Sequence, residues 1–386
     1  MAAAKHSYEP VEGVTGRRGT YAVIAGGGTG GHVLPAVAVA RALGGRGHPP
    51  EAIHFVGSKR GMEATIVPEA GFSITLLPGR GVARRLSLAS VSAVIGLMAA
   101  TAGAVVLLGR RRPSVVLSVG GYASLPCAIA ARVWRIPLVV AEQNAVPGLA
   151  NRFAARRAAA VAAAFEGTAL PNAVVTGNPL RPEMAAIDRG PGAMMAARRK
   201  LGLPVGGHVI VAAGGSLGSR RINLAVVALA QAWRGRSGFA IRHVIGERDF
   251  AEVSAACPTA VPGGLVYQQL RFEQRMDLAY AAADLAVHRA GAGSIFELAA
   301  AGLPAILVPL PGAPGDHQAV NARRVAEAGA AVVVDDRELD SHRLADEIDA
   351  LVADLERLAK MGEAARRLAR PDAADQVAAL VEAEAR

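Results

Sequence analysis

The sequence predicts an α/β protein made of two facing Rossmann-like domains, and three observations predict it. An apolar run at 21–25 passes into a turn with five glycines among residues 26–31 and then into the Ala-, Val- and Leu-rich stretch 35–43. The same order returns in the second half, where the apolar run 208–213 meets Gly214-Gly215-Ser216-Leu217-Gly218-Ser219 and a helical stretch from Arg221. Further short apolar runs lie at 52–56, 73–77, 114–119 and 138–141, and again at 241–245, 264–267, 285–287, 305–308 and 331–334, the alternation expected of strands and helices in parallel sheets.

The first turn, Gly26-Gly27-Gly28-Thr29-Gly30-Gly31-His32, has a physical purpose. Glycines let the backbone approach a ligand without Cβ interference, and a helix opening just after them directs unpaired N–H groups and the positive end of a helix dipole at that place. His32 stands at the lip with a side chain that titrates where a general base is needed. A histidine in a helix-opening turn also serves as a cap or a packing residue, and spacing alone does not decide between these roles.

Composition sets the outer limits. The chain has 386 residues, 52% hydrophobic and 19% charged, which is enough for two globular domains. Its net charge of +10 comes from 42 basic and 32 acidic residues; four of the basic residues are lysine (Lys5, Lys59, Lys200, Lys360) and 38 arginine. Such a surface favours anionic partners: phosphates, lipid headgroups or nucleic acid. Aromatic residues are only 4%, without a basic and aromatic patch on which bases could stack, so nucleic acid is not expected. Cys127 and Cys257 are far apart and form neither a metal motif nor a redox pair, as suits a reducing compartment.

In chain order, residues 1–20 are polar, lack the apolar core of a signal peptide and read as a disordered leader. The second strand ends in Gly57-Ser58-Lys59, where a dinucleotide-binding enzyme would place an acidic residue for the ribose, so NAD is not expected. Residues 86–109 carry no charge and are bracketed by Arg84-Arg85 and Arg110-Arg111-Arg112. By length they could span a bilayer, yet they lie between two strands of one sheet, which a crossing would tear apart. The expectation is a helix, whole or broken, packed partly on the sheet and partly on a membrane surface; the other reading is an ordinary buried helix.

Past the strand 114–119 comes a second turn, Gly120-Gly121-Tyr122, and past 138–141 come Glu142-Gln143-Asn144, polar groups at the carboxyl end of a parallel strand, where ligands bind such sheets. Residues 177–182 (Gly-Asn-Pro-Leu-Arg-Pro) read as a hinge. In the second half, the small residues 290–294 would let backbone amides reach a phosphate, and Glu297, one helical turn on, could accept both hydroxyls of a ribose or merely complement the helix dipole. Gln318 can serve a sugar hydroxyl as donor and acceptor, or lie solvated on a helix surface. No Asp-X-Asp pair and no His/Cys cluster with metal spacing is present, so neither metal nor cofactor is expected.

Seven segments in order carry a family resemblance: GGGTGGHVLP, SVGGYASLP, EQNAVPGLAN, GNPLR, GGSLGSRRIN, HRAGAGSIFELAAAGLP and DHQAVNA. They resemble the motif set of the MurG family, in glycosyltransferase family 28, and the match runs from about residue 21 to beyond 334. The resemblance implies a GT-B fold with a deep interdomain cleft. It divides the chain into an acceptor and membrane-facing domain at 21–178, a UDP-sugar domain at 179–365 and a final helix at 366–386 that packs back on the first. The implied activity is inverting, metal-independent transfer of N-acetylglucosamine from UDP-N-acetylglucosamine to an undecaprenyl-diphosphate-linked acceptor. The implied place is the cytoplasmic face of the cell membrane, as a peripheral protein on an anionic surface, with other cell-wall synthesis proteins as candidate partners.

Carried residue by residue, the resemblance makes His32 the candidate base. Thr29, Gly30, Gly31, Gly120, Gly121 and Tyr122 would bound the acceptor side, and Asn144 would face the transferred sugar. Arg181 and Ser216 would serve the donor diphosphate. Ala292, Gly293, Ser294, Ile295, Phe296 and Glu297 would hold diphosphate and ribose, with Glu297 on the ribose. His317 and Gln318 would touch the sugar hydroxyls, and the uracil would rest near Phe272 and Glu273, mostly on backbone. Three positions depart from the family pattern: Leu217 and Ser219 in the second glycine turn, and His288, where a small residue is usual. Architecture alone also admits a UDP-sugar 2-epimerase or a transferase acting on another acceptor.

Overall fold

Short strands buried on both faces are what a parallel sheet covered by helices demands. The computed structural model, which describes residues 19–59, 61–78, 88–215 and 218–386, holds two such sheets. Of residues 88–93 only the backbone is described. The leader apart from its last two residues, the turn after Pro78 with Arg84-Arg85, and Ser216 with Leu217 lie outside the described residues.

The first sheet comprises β1 (Ala22–Gly26), β2 (Ile53–Ser58), β3 (Ser73–Leu77), β4 (Val115–Gly120), β5 (Leu138–Glu142), β6 (Ala160–Ala163) and β7 (Ala173–Val175) in the order β3-β2-β1-β4-β5-β6-β7. The second comprises β8 (His208–Ala213), β9 (Phe239–Val244), β10 (Val266–Leu270), β11 (Leu285–His288), β12 (Ala305–Leu307) and β13 (Ala331–Val333) in the order β10-β9-β8-β11-β12-β13. Every pairing is parallel. In both sheets the chain builds outward from its founding strand and then returns to that strand's other side. The order therefore reverses between β1 and β4 and between β8 and β11, and the crevice at such a reversal is where open α/β sheets bind ligands. The first glycine turn, at 26–31, and Gly214-Gly215 leave the sheets at these two points.

Alternation along the strands fills both faces. Ile24 lies in one layer with Leu43, Leu117 and Val139, and its neighbour Val23 in the opposite layer with Leu108, Val116 and Val140. The last helix, Ala373–Glu384, belongs to the first of these layers through Val377, Ala378 and Val381, although it follows the second sheet in the chain. Its Glu382 accepts hydrogen bonds from Arg46 at 2.6 Å and His48 at 2.9 Å. The two sheets also share apolar contact: Phe165, from the first, sits edge-on to Phe296 of the second at 5.0 Å.

The five helices of the first half that matter here are α1 (Gly30–Gly45), α2 (Glu63–Glu69), α3 (Leu88–Arg111), α4 (Ser124–Trp134) and α5 (Leu149–Ala155). Helix α1 opens at Gly30, ahead of the expected 35, so that His32 lies in its first turn. Helix α3 is unbroken, and Val94–Arg111 is long and apolar enough to cross a bilayer. Ala100, Ala104 and Leu108 nonetheless lie fully buried in the first domain's core, and the Trp134 indole donates to the Val105 carbonyl at 2.8 Å. A crossing would extract that face. The opposite face is open, with Ile95 62% and Met98 69% exposed.

Three strands differ from expectation. β6 and β7 were not expected, and the run read at 264–267 forms β10 at Val266–Leu270 instead. β6 is Ala-Val-Ala-Ala, a composition without β-branched excess, and β10, on an edge, holds Gln268 and Gln269 where apolar alternation would have signalled a strand.

Candidate active site

The first glycine turn is shaped from beneath. Gly27 and Gly28 have φ of +146° and +99°, values that glycine adopts freely. The Gly28 N–H donates to the Glu63 carboxylate at 2.7 Å, and the Ser58 N–H and hydroxyl donate to its other oxygen at 2.7 and 2.9 Å. The neighbouring turn at 120–122 abuts this one: Gly27 N–H donates to the Gly120 carbonyl at 3.2 Å, and a Cβ on Gly121 would stand 2.2 Å from the Gly27 oxygen.

His32 is held over this junction. Its Nδ1 lies 3.3 Å from the Thr29 hydroxyl, and a Cβ on Gly120 would come within 3.2 Å of His32 Nε2, so the ring lies over Gly120. Burial pushes the imidazole below its ordinary value; Glu142 and Glu63 pull it up and His317 pushes it down. The neutral ring, the form a general base requires, thus prevails near neutral pH. In the tautomer whose Nδ1–H donates to the Thr29 hydroxyl, Nε2 keeps its lone pair. Tyr122, on the same side, reaches the Pro78 carbonyl at 3.4 Å.

Glu142 organises the next loop. Its buried carboxylate accepts the N–H groups of Asn144 and Gly148 at 2.9 and 3.0 Å and the side-chain amide of Asn151 at 3.0 Å. Asn151 in turn accepts the Ser118 hydroxyl at 3.2 Å. Asn144 meets the second domain directly, its Oδ1 accepting the Asn321 amide at 3.2 Å. Fully buried Asn321 also accepts the Ala145 N–H at 2.9 Å and donates to the Ala290 carbonyl at 3.2 Å. One side chain therefore ties the loop after β5 to the loop after β11.

On the second side, the helix Ala292–Ala301 starts at Gly291, and its first amides point toward the reversal between β8 and β11. A Cβ on Gly215, Gly291 or Gly293 would meet nothing within 4 Å, so these loops face open space. Ile295 and Phe296 bury their side chains in the core and can offer a ligand backbone alone. Glu297 has its carboxyl pushed up to about 7 by burial, with the nearby Arg181 guanidinium opposing. The buried Tyr280 hydroxyl lies 3.5 Å from that carboxylate and 3.3 Å from His288 Nε2, and His288 Nδ1–H donates to the Arg289 carbonyl at 3.2 Å.

The remaining expected residues fall around this centre with different degrees of freedom. Arg181 immediately precedes the short helix Pro182–Ala185 and pairs with Glu183 at 3.2 Å. His317 donates from Nδ1 to the Pro314 carbonyl at 2.9 Å, and Gln318 accepts the Leu310 N–H at 3.0 Å. Phe272 is 66% exposed, whereas the Glu273 carboxylate is committed to Arg242 at 2.7 Å, leaving its backbone for a base. Ser219, a departure from the family pattern, caps the helix Arg220–Ala232 by accepting the Ile222 N–H at 3.4 Å. Among the described residues no group of three or more His, Cys, Asp or Glu side chains could hold a metal ion.

The sequence assigned no role to Glu63, Asn151 or Asn321, and placed Glu142 only among the polar groups at the carboxyl end of β5. Glu142, Asn151 and Asn321 stand inside recognised motifs, and their positions in those motifs are the signal that could have found them. Glu63 gave no signal, since its partners Gly28 and Ser58 are brought to it by the fold.

Known proteins share this fold. Residues 22–163 match the glycosyltransferase family 28 N-terminal domain and residues 209–377 the glycosyltransferase family 28 C-terminal domain. A UDP-N-acetylglucosamine–N-acetylmuramyl-(pentapeptide) pyrophosphoryl-undecaprenol N-acetylglucosamine transferase from Nocardioides sp. is 43% identical over 93% of this chain and 96% of its own length. The protein of that name from Acidothermus cellulolyticus is 42% identical over 94% of this chain and 97% of its own. The crystal structure of MurG from Acinetobacter baumannii superposes with a TM-score of 0.74 at 29% identity, covering 94% of this chain and 99% of the other. With two glycine-lined crevices on GT-B sheets and relatives this close over nearly its whole length, the chain belongs to the MurG family of N-acetylglucosamine transferases, in glycosyltransferase family 28.

Proposed function

We propose that the chain moves N-acetylglucosamine from UDP-N-acetylglucosamine to the C4 hydroxyl of undecaprenyl-diphospho-N-acetylmuramoyl-pentapeptide, yielding the lipid-linked disaccharide used in peptidoglycan synthesis. The observation that carries the reading is the position of His32 over the first crevice, with Asn144 and Asn321 joining that crevice to the one headed by the helix Ala292–Ala301. The activity of the relatives, N-acetylglucosamine transfer to an N-acetylmuramyl-(pentapeptide) pyrophosphoryl-undecaprenol, supports this choice of substrates.

In the proposed step the acceptor C4 oxygen bonds to the anomeric carbon as the bond from that carbon to the β-phosphate oxygen breaks, inverting the centre. His32 Nε2 takes the hydroxyl proton, help worth about 10²–10⁴-fold. The charge leaving on UDP falls to the first amides of the helix Ala292–Ala301, to Arg181 and to Ser216. Glu297 accepts the ribose hydroxyls, His317 and Gln318 the sugar hydroxyls, and the backbone at 272–273 the uracil. Closure about residues 178–182 brings the two substrates together. No metal or cofactor takes part; unchanged turnover in the presence of a chelator is the expected result.

The same proposal seats the protein peripherally on the cytoplasmic membrane face. The open face of α3 with Ile95 and Met98, ending in Arg110 and Arg111, combines apolar area with cationic charge, the pairing that binds anionic bilayers. Other cell-wall synthesis proteins would meet it there. The test is sedimentation with vesicles of anionic or zwitterionic lipid, where preference for the anionic vesicles, weakened by salt, supports the assignment and indifference to both removes it.

A further inference from the structure

We infer that Glu63 is a positioning residue for the transfer step: its carboxylate, bonded to Gly28 and Ser58, fixes the first glycine turn so that His32 meets the acceptor hydroxyl. The inference rests on the acceptor-side reading of that turn given above.

Three hydrogen bonds among the described residues, of 2.7, 2.7 and 2.9 Å, end on this side chain, and they come from two separate segments, the β1–α1 turn and the end of β2. Three neighbouring positions are glycine where a Cβ would crowd it. A Cβ on Gly27, Gly57 or Gly61 would stand 2.3, 2.3 or 1.9 Å from a Glu63 atom. A helix residue that is only 1% exposed, wrapped by three glycines and saturated with backbone and hydroxyl donors, is a built seat for one carboxylate. Ordinary packing of α2 needs none of this, because Val67 already anchors that helix in the core.

The seat lies under the base. Gly28 precedes Thr29, whose hydroxyl faces His32 Nδ1, so a displaced Gly28 moves both the ring and its hydrogen-bond partner. The charge also acts through space: burial lowers the His32 imidazole, against which Glu142 raises it, His317 lowers it and Glu63 adds the smallest rise. Glu63 thus contributes geometry and charge to the same residue.

Glu63→Gln is isosteric. Its Oε1 can keep both bonds from Ser58, but Nε2 then faces the Gly28 N–H, donor against donor, and the turn is released. Gly57→Ala is the second variant; it leaves the carboxylate in the chain, its backbone accommodates alanine, and its new Cβ strikes Glu63 Cγ. Both should lower kcat/KM for the undecaprenyl-diphospho-muramoyl-pentapeptide acceptor by about 10- to 100-fold, the scale of a misplaced reacting group, while UDP binding at the second domain stays within about two-fold. Glu63→Gln should also shift the His32 imidazole titration, followed by NMR and assigned with a His32→Asn variant, from its native position. An acceptor kcat/KM within about two-fold of wild type in both variants, an equal loss of UDP affinity, or an unmoved His32 titration overturns the inference. Failure of the wild-type chain to use the acceptor would instead overturn the functional reading, and the His32 titration would still decide the role of Glu63.

Discussion

Replacing Glu297 by glutamine should free the second domain from a pH dependence that the native carboxyl imposes on it. In the unfolded chain this group titrates near 4.5, and in the fold burial lifts it to about 7. Below the lower value it is neutral in both states and subtracts nothing. As pH rises from there to about 7, unfolding releases a proton, so the native chain loses stability, and above that the loss is complete. The difference corresponds to up to about 3 kcal/mol, the upper bound for a carboxyl that keeps some contact with water. Glutamine keeps the shape without the charge. The assay is guanidinium unfolding of both proteins in a Trp134→Phe background, where Trp233 in the second domain's core reports alone. At about pH 4, below the unfolded value, the two should be equally stable, and at about pH 8.5 the variant should be the more stable by a substantial part of that figure. In the native chain UDP affinity should rise through the same window as the carboxylate becomes able to accept ribose hydroxyls; in Glu297→Gln it should be weak and flat. An equal stability gap at both pH values, or a flat UDP profile in the native protein, would refute the reasoning.

Three more outcomes follow from the geometry. His32→Ala should reduce kcat by about 10²–10⁴-fold with UDP binding retained, and the acid limb of the native kcat/KM profile should lie below the ordinary histidine value, both read by steady-state kinetics. Asn321→Ala leaves the buried Ala145 N–H without its acceptor; it should destabilise the protein by about 1–3 kcal/mol in denaturant unfolding and lower turnover through loss of the contact between domains. Paired Ile95→Asp and Met98→Asp substitutions on the exposed face of α3 should abolish sedimentation with anionic vesicles while leaving turnover of a water-soluble acceptor analogue unchanged.

The sequence displayed what depends on local pattern. β1, β4 and β8 read clearly because strands buried on both faces must be continuously apolar, and the turns after them because only glycine tolerates such backbone beside a ligand. The apolar length of α3 was legible, and so was the conflict between a bilayer crossing and its place in the sheet. What stayed hidden depends on contacts distant in sequence. Glu63 looks like any first-turn glutamate, and only folding brings Gly28, 35 residues away, onto its carboxylate. Asn321 and Ala145 stand 176 residues apart, so their bond, which joins the two halves of the site, has no local signature. The departure at Ser219 resolves into a helix cap, whereas His288 becomes legible only beside Tyr280 and Glu297.

The most direct test of the account is to incubate the purified protein with UDP-N-acetylglucosamine and undecaprenyl-diphospho-N-acetylmuramoyl-pentapeptide in the presence of a chelator, and to follow UDP release together with the lipid-linked product. Stoichiometric UDP and a lipid-linked disaccharide carrying a β-1,4 bond are the expected products, both lost with His32→Ala. Epimerised donor, or no lipid product from a folded protein that binds UDP, would contradict it.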